Sequence, residues 1–128
     1  MSYYINKDIH CSFAEAVEKT KSVLKEQGFG VITEINMKST LKEKIGEDIL
    51  EYLILGACSP KYAFHALQQE DKIGLMLPCN VIVREDKSGK IEVAAIDPIE
   101  AMNPVDNDSL GEMAQEVRDK LELAINNL

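Results

Sequence analysis

Two cysteines in unusual local contexts are the residues of this chain whose types and spacing could do chemistry. Cys58 stands directly before Ser59 and Pro60, a pair that is typical of the cap and first residue of a helix. Amide groups at a helix start favour a thiolate, so Cys58 is a candidate redox group, nucleophile or soft metal ligand. Cys79 follows Pro78, which cannot donate a hydrogen bond within a sheet. That proline therefore indicates a strand edge or a bulge.

The chemistry depends on whether Cys58 and Cys79 lie together. A reversible disulfide, a two-thiolate metal site and a pocket with one reactive thiol all stay open. A disulfide needs Cα atoms within about 7 Å, and a zinc site needs further ligands. We predict a candidate pocket of Cys58, Ser59, Cys79 and Asn80, in which the two cysteines are also weak candidates as metal ligands. The sequence indicates no cofactor, and either cysteine could equally be a packed core thiol.

Other polar residues give weaker signals. His65 lies five positions beyond Pro60, so helical rotation carries it away from the helix start, and a packing or surface role is favoured. Asp97 precedes Pro98 and is typical of a turn. The chain has neither a nucleophile elbow nor a Walker sequence, so hydrolysis and nucleotide binding are not predicted.

Composition limits the classes of partner and compartment. The 128 residues carry a formal net charge of -8, which argues against nucleic acid and acidic membrane surfaces as partners. No apolar run resembles a signal peptide or a membrane span. Three cysteines without a Cys-x-x-Cys spacing favour a reducing compartment over a disulfide framework. We therefore expect a cytoplasmic protein that has no membrane partner.

Hydrophobic periodicity predicts the elements that must position the cysteines, within one domain over residues 1–128. Ser12 with Glu15, and Ser109 with Glu112, have the spacing of capping boxes that begin helices. The nearly continuous apolar run at 50–57 is typical of a strand covered on both faces or near a dimer contact. The predicted strands are 3–7, 29–35, 50–57, 74–84 and 91–96, and the predicted helices are 12–27, 39–46, 60–69 and 109–128.

Three sequence segments, at 28–35, 55–63 and 73–81, together resemble the domain of unknown function 302 family. Asp97, Pro98 and Met102 match the last part of that family's sequence pattern. The resemblance covers nearly the whole chain. It implies a two-layer α+β fold, with an antiparallel sheet backed by helices in a TATA-binding-protein-like topology, and a homodimer. Family members commonly have Asn where this chain has Ser59, although both residues can cap a helix.

Three functional hypotheses follow. The first is a cytosolic binding or sensor domain whose cysteine-containing pocket takes a small thiol-reactive, metal or anionic ligand. The second is a thiol-dependent redox enzyme that uses Cys58 with Cys79 as its partner. The third is a dimeric interaction module in which the cysteines are purely structural.

Overall fold

Hydrogen bonding arranges the strands of this chain into one antiparallel sheet. The structure, a computed structural model, describes residues 2–128. Within them the strands are β1 (Tyr4–Ile9), β2 (Gly30–Asn36), β3 (Tyr52–Cys58), β4 (Cys79–Glu85) and β5 (Ile91–Ile96). The helices are α1 (Phe13–Glu26), α2 (Met37–Ile45), α3 (Pro60–Gln69), α4 (Pro98–Met102) and α5 (Gly111–Asn126). The strand order is β1-β5-β4-β3-β2, and every pairing is antiparallel. The predicted α+β class is confirmed.

One face of the sheet carries the main core. Because strand side chains alternate between faces, Leu55 on β3, Val81 on β4 and Val93 on β5 all point to the same side and are fully buried. There they share a core cluster with Leu24 of α1 and Leu121 of α5. The side chains at the alternating positions of these strands face away from that cluster.

The first helix begins where the capping box predicts. The backbone N–H of Glu15 donates to the Ser12 hydroxyl oxygen at 3.1 Å, and the Ser12 hydroxyl in turn contacts the Glu15 carboxylate. At the other end Gly28 adopts φ +85°, a left-handed conformation that glycine takes without strain. The next residue, Phe29, is thereby directed into the core.

Two other predicted helix starts are wrong. Asn36, and not Ser39, caps α2 by accepting the Ser39 N–H at 3.0 Å, so the helix begins earlier. Asn107 accepts the Ser109 N–H at 3.1 Å, which places Ser109 inside a short 3-10 turn at Asp108–Leu110. The predicted second capping box therefore does not form, and α5 begins after this turn.

The predicted strand at 74–84 is also corrected. Ile73–Met76 forms a 3-10 turn, and β4 begins only at Cys79. Pro78 thus marks neither an edge nor a bulge, since β4 is the central strand and the proline precedes its first ladder position. Asp97 ends the sheet as expected, but it also caps the additional helix α4 by accepting the Ile99 N–H at 2.9 Å.

Candidate functional site

Both predicted cysteines line one cavity. It has a volume of about 50 Å³ and lies where the end of β3 and the start of β4 meet helices α3, α4 and α5. None of the described residues that line it is charged. The lining residues are Phe29, Ala57, Cys58, Ser59, Tyr62, Ala63, Ala66, Leu77, Pro78, Cys79, Pro98, Met102, Leu110, Met113, Ala114 and Val117.

Cys58 reaches this cavity because it is the last residue of β3. Simple alternation from buried Ala57 would direct Cys58 to the opposite face of the sheet. At this point, however, the chain turns into α3, and both residues line the cavity. Cys58 is half-buried and therefore remains reachable from solvent. Ser59 occupies the cap position of α3, but its side chain makes no capping hydrogen bond, so the predicted hydroxyl cap is wrong.

Cys79 is the more deeply placed thiol. It pairs with Ala57 across β3 and β4, next to Cys58 in the chain. Burial raises the pKa of Cys79 to about 11, and the nearby Cys58 contributes to the increase. A thiol with this pKa stays protonated at neutral pH. The two cysteines are therefore close enough to interact electrostatically, and Cys79 is a poor nucleophile beside the more exposed Cys58.

Asn80, the fourth residue of the predicted pocket, is not among the residues that line this cavity. As the residue after Cys79 on β4, it points to the other face of the sheet and is exposed. There it lines an open hollow together with Tyr52 and Ile82. Asn80 also lines a separate hollow together with Cys79 and Met102, so strand alternation does not fully segregate the two neighbours. Cys58, Ser59 and Cys79 share the cavity described above, and Asn80 lies beside it.

A glycine brings the two cysteine-bearing strands together at this end of the sheet. A Cβ atom on Gly56 would clash with Thr33 Oγ1 of β2 and would lie 2.8 Å from Pro78 Cγ. The missing side chain therefore permits both Thr33 and Pro78 to approach the β3 backbone at Gly56. This approach fixes where the chain enters β4, and hence where Cys79 stands.

Sequence reasoning missed the residues that close the cavity from the helical side. Met102 of α4 and Met113 of α5 both line it. A charged contact joins these two helices, since Arg118 Nε of α5 donates to the Asp97 carboxylate at 3.0 Å. Methionines in a helix are indistinguishable from ordinary core residues in a sequence, so only the packing of α4 on α5 could identify them.

The remaining titratable candidates lie elsewhere or at the rim. His65 is exposed and stacks edge-on against Phe64, 5.9 Å between ring centroids. Tyr62 lines the cavity, and its pKa is raised by burial and by a hydrogen bond to Glu116. In residues 2–128 no group of three or more His, Cys, Asp or Glu side chains is placed to hold a metal ion.

Comparison with known proteins decides the family. Residues 5–128 match the family described as Domain of unknown function DUF302. The chain belongs to the DUF302 family. A crystal structure of an uncharacterized conserved DUF302 protein from Bacillus stearothermophilus superposes on this DUF302 chain with a TM-score of 0.91. The alignment covers 98% of both chains at 23% sequence identity, and this likeness establishes the fold.

The DUF302 chain is also similar to part of two larger proteins. It is 32% identical over 88 residues to proteins named fluoride-specific ion channel FluC 1, from Brucella suis biovar 1 and from Brucella abortus biovar 1. The match covers 68% of this chain but only 34% and 32% of those proteins. The DUF302 chain thus spans about a third of the length of these curated relatives. Among residues 2–128, no helix is both long enough and apolar enough to cross a membrane.

Proposed function

We propose that this DUF302 chain is a cytoplasmic binding or sensor domain, which takes a small uncharged, thiol-reactive ligand into the cavity beside Cys58. One observation carries the proposal: a cavity is lined by both Cys58 and Cys79, and none of its described lining residues bears a charge. Ligand sites in proteins are typically concave and mostly apolar, with a few polar groups that fix orientation. Besides Cys79, the lining residues that carry a thiol or a hydroxyl group are Cys58, Ser59 and Tyr62.

Electrostatics favours an uncharged ligand over an anionic one. A buried carboxylate without a partner loses its hydration, and the lining supplies no Lys or Arg to replace it. Glu116, which contributes to the raised pKa of the lining residue Tyr62, adds negative charge near the cavity. Because Cys79 is held protonated by burial, Cys58 is the thiol that we expect to react.

The test compares two alkylating agents of similar size and different charge, the neutral iodoacetamide and the anionic iodoacetate. Their rate ratio is measured at Cys58 and at Cys11, which lies outside the cavity, by peptide mass spectrometry. The ratio is the rate with iodoacetamide over the rate with iodoacetate, and each ratio is divided by its value in the urea-unfolded chain. We expect this normalised ratio to be roughly tenfold larger at Cys58 than at Cys11, because a barrier of only about 1.4 kcal/mol against the carboxylate changes a rate tenfold.

Two helix variants test whether the cavity itself gives Cys58 this preference. Ala63→Leu places a larger side chain in the lining, and we expect it to slow iodoacetamide at Cys58 and leave Cys11 unchanged. Ala14→Leu, on the exposed surface of α1, is the matched control. Equal ratios at the two cysteines, or no effect of Ala63→Leu, would contradict the proposal.

A second proposal concerns the uncovered face of the sheet, which we assign to a homodimer contact. Ile54 of β3, Ile82 of β4 and Ile96 of β5 are only half-buried there, and exposed apolar patches of this kind mark association surfaces. Five strands that lie about 4.8 Å apart and are about 20 Å long form a face of roughly 500 Å². Two copies that meet through this face would bury roughly 1,000 Å² in total, near the lower limit for a specific interface.

The charges on this face of the sheet are compatible with a second copy of the chain as the binding partner. The charged pair in the hollow on this face, Arg84 with Glu92 at 2.7 Å, is neutral overall, whereas the whole chain carries -8. Two such faces can meet without like-charge repulsion, which satisfies the self-complementarity of a two-fold contact. We expect Ile54→Asp to give a monomer in sedimentation velocity, while Leu123→Asp on exposed α5 leaves the state unchanged. A monomeric parent chain, or a dimeric Ile54→Asp variant, would contradict this proposal.

A further inference from the structure

The open hollow on the uncovered face of the sheet, which Tyr52 and Ile82 line, is distinct from the cavity beside Cys58. Its volume is about 510 Å³, within the range of about 300–1,000 Å³ that is typical of small-molecule sites. Ala94 of β5 lies at its floor and pairs with Asn6 of β1 on one side and Ile82 of β4 on the other. The hollow thus exists because a methyl group stands between larger side chains.

Tyrosines stand at opposite corners of this hollow. Tyr52 of β3 pairs with Arg84 of β4, which pairs in turn with Glu92 of β5. Tyr4 of β1 pairs with Ile96, at the other end of β5. Four residues along β5 and three strand spacings therefore separate the two tyrosines, about 13 Å in one direction and about 14 Å in the other. Rings that flank a space of this size offer faces and edges on which a planar ring can pack.

The hollow concentrates the tyrosines of the chain. The sequence contains 4 tyrosines, and three of them, Tyr3, Tyr4 and Tyr52, line this hollow. The rings of Tyr3 and Tyr4 meet edge to face, with centroids 5.1 Å apart. The segment that carries them is held to the sheet, because the Tyr3 carbonyl accepts the Asp97 N–H at 2.8 Å. This arrangement favours an aromatic ligand.

A fixed charged pair lines the end of the hollow next to Tyr52. Glu92 Oε1 lies 2.7 Å from both Arg84 Nε and Arg84 Nη2, and Glu92 Oε2 accepts from Asn6 Nδ2 at 2.7 Å. Side-on bonding through Nε and Nη2 directs the third guanidinium nitrogen, Nη1, away from Glu92. Within residues 2–128, Glu92 is the one carboxylate that forms a salt bridge with Arg84. The charges of the pair cancel, while Nη1 keeps its N–H donors for a ligand.

We propose that this hollow binds an uncharged planar aromatic ligand, whose ring packs against the tyrosines and whose carbonyl oxygen accepts a hydrogen bond from Arg84. An anionic ligand is disfavoured, because Glu92 already occupies the same guanidinium and the whole chain carries -8.

The site lies on the face that we assigned to a homodimer contact, and the inference rests on that assignment for its closure from water. Because the Ala94 floor lies below the neighbouring side chains, a second copy seated on this face can cover the ligand without displacing it. The site goes beyond the ligand proposed for the cavity beside Cys58, since the two spaces share no lining residue.

The experiment measures binding of 2-naphthamide by isothermal titration calorimetry and follows the Ala94 methyl signal by NMR spectroscopy. 2-Naphthamide is an uncharged planar ring system with a carbonyl oxygen, and 2-naphthoate is its anionic counterpart. We expect 2-naphthamide to shift the Ala94 signal and to bind at least about threefold more tightly than 2-naphthoate, the effect of like charges about 6 Å apart in water. Arg84→Gln should weaken 2-naphthamide about tenfold, because a hydrogen bond from a charged group is lost.

Two substitutions at Tyr52 separate the packing of its ring from the effect of its hydroxyl group. Tyr52→Leu should weaken 2-naphthamide about fivefold, whereas Tyr52→Phe keeps the ring and should bind as the parent does. Phe64→Leu, on exposed α3, removes an aromatic ring outside the hollow and is the matched control. Thermal unfolding of every variant separates lost binding from lost folding.

Three results would overturn the site: parental affinity in the folded Tyr52→Leu variant, tighter binding of 2-naphthoate than of 2-naphthamide, or an Ala94 signal that 2-naphthamide leaves unchanged. Sedimentation velocity tests the homodimer separately. A dimer that does not bind 2-naphthamide refutes this inference alone. A monomer that binds it with the expected variant pattern refutes the homodimer proposal alone, and a monomer that does not bind it refutes both.

Discussion

Replacing Gly56 by alanine tests whether close packing at the end of β3 positions the cysteines. The new Cβ would clash with Thr33 Oγ1 and would lie 2.8 Å from Pro78 Cγ, closer than real Cβ atoms approach other atoms. Thr33 is exposed and can rotate away. Pro78 cannot, because its ring is rigid and joined to the backbone that enters β4. The substitution therefore forces β3 and the start of β4 apart.

The expected cost is that of an overpacked site, about 1–3 kcal/mol of unfolding free energy. For a chain of this length that loss lowers Tm by roughly 4–12 °C. Urea unfolding and calorimetry of Gly56→Ala measure the two quantities independently. Adding Thr33→Ala to Gly56→Ala removes the nearer obstacle but leaves Pro78 in place, so we expect a partial recovery and not a full one.

Gly111→Ala is the matched control for this prediction. A Cβ at Gly111 meets no atom within 4 Å, and the residue begins helix α5 without a left-handed conformation. Alanine should therefore leave stability unchanged or raise it by about 0.4–1 kcal/mol, mainly by restricting the unfolded chain. Two results would refute the reasoning about Gly56. One is that Gly56→Ala and Gly111→Ala have the same Tm. The other is that adding Thr33→Ala to Gly56→Ala restores the full stability of the parent chain.

Two further perturbations have outcomes fixed by charge. The pKa of Cys79 rises from 9.0 to about 11 on folding, so the unfolded thiol ionises first and alkali favours unfolding. Between pH 9 and 11 the parent should lose roughly 2 kcal/mol more unfolding free energy than Cys79→Ala, as measured by urea unfolding. Parallel curves for the two chains would contradict this. Asp97→Asn keeps an acceptor that caps α4 but weakens the bond to Arg118, whereas Asp97→Ala removes both contacts. Calorimetry should therefore give a loss of unfolding free energy of about 1 kcal/mol for Asp97→Asn and about 2–4 kcal/mol for Asp97→Ala. Equal losses would exclude a separate contribution of the cap.

Local sequence signals predicted elements well where one short contact decides them. The hairpin through 86–89, the strand at 91–96 and the capping box of α1 depend on residues within four positions of each other. Failures occurred where two local solutions compete. Asn36 and Asn107 can each cap a helix or turn three or fewer residues before the predicted serine caps, and the structure uses the earlier residue.

The candidate site divides in the same way. The sequence predicts that a strand ends at Cys58 before a helix, because Pro60 favours the first helical position, although the Ser59 hydroxyl makes no capping bond. Asn80 was grouped with Cys79 because the two residues are adjacent, although strand alternation turns neighbouring side chains to opposite faces, and Asn80 is exposed on the open one. Met102 entered the sequence analysis only through the family resemblance and Met113 not at all, and neither was predicted to line the cavity, because thioethers in helices mostly serve core packing.

The amino-acid sequence by itself determined most of the helices and strands, the strong negative charge and the two cysteine contexts, because composition and short-range backbone preferences act along the chain. The α+β class was implied by the resemblance to the DUF302 family. Only the tertiary structure decided that Cys58 turns toward Cys79, and that α4 and α5 close the space around them. Those contacts join segments up to about half the chain apart, and their energies depend on shape, burial and register. Such quantities exist only after the sheet and helices have packed.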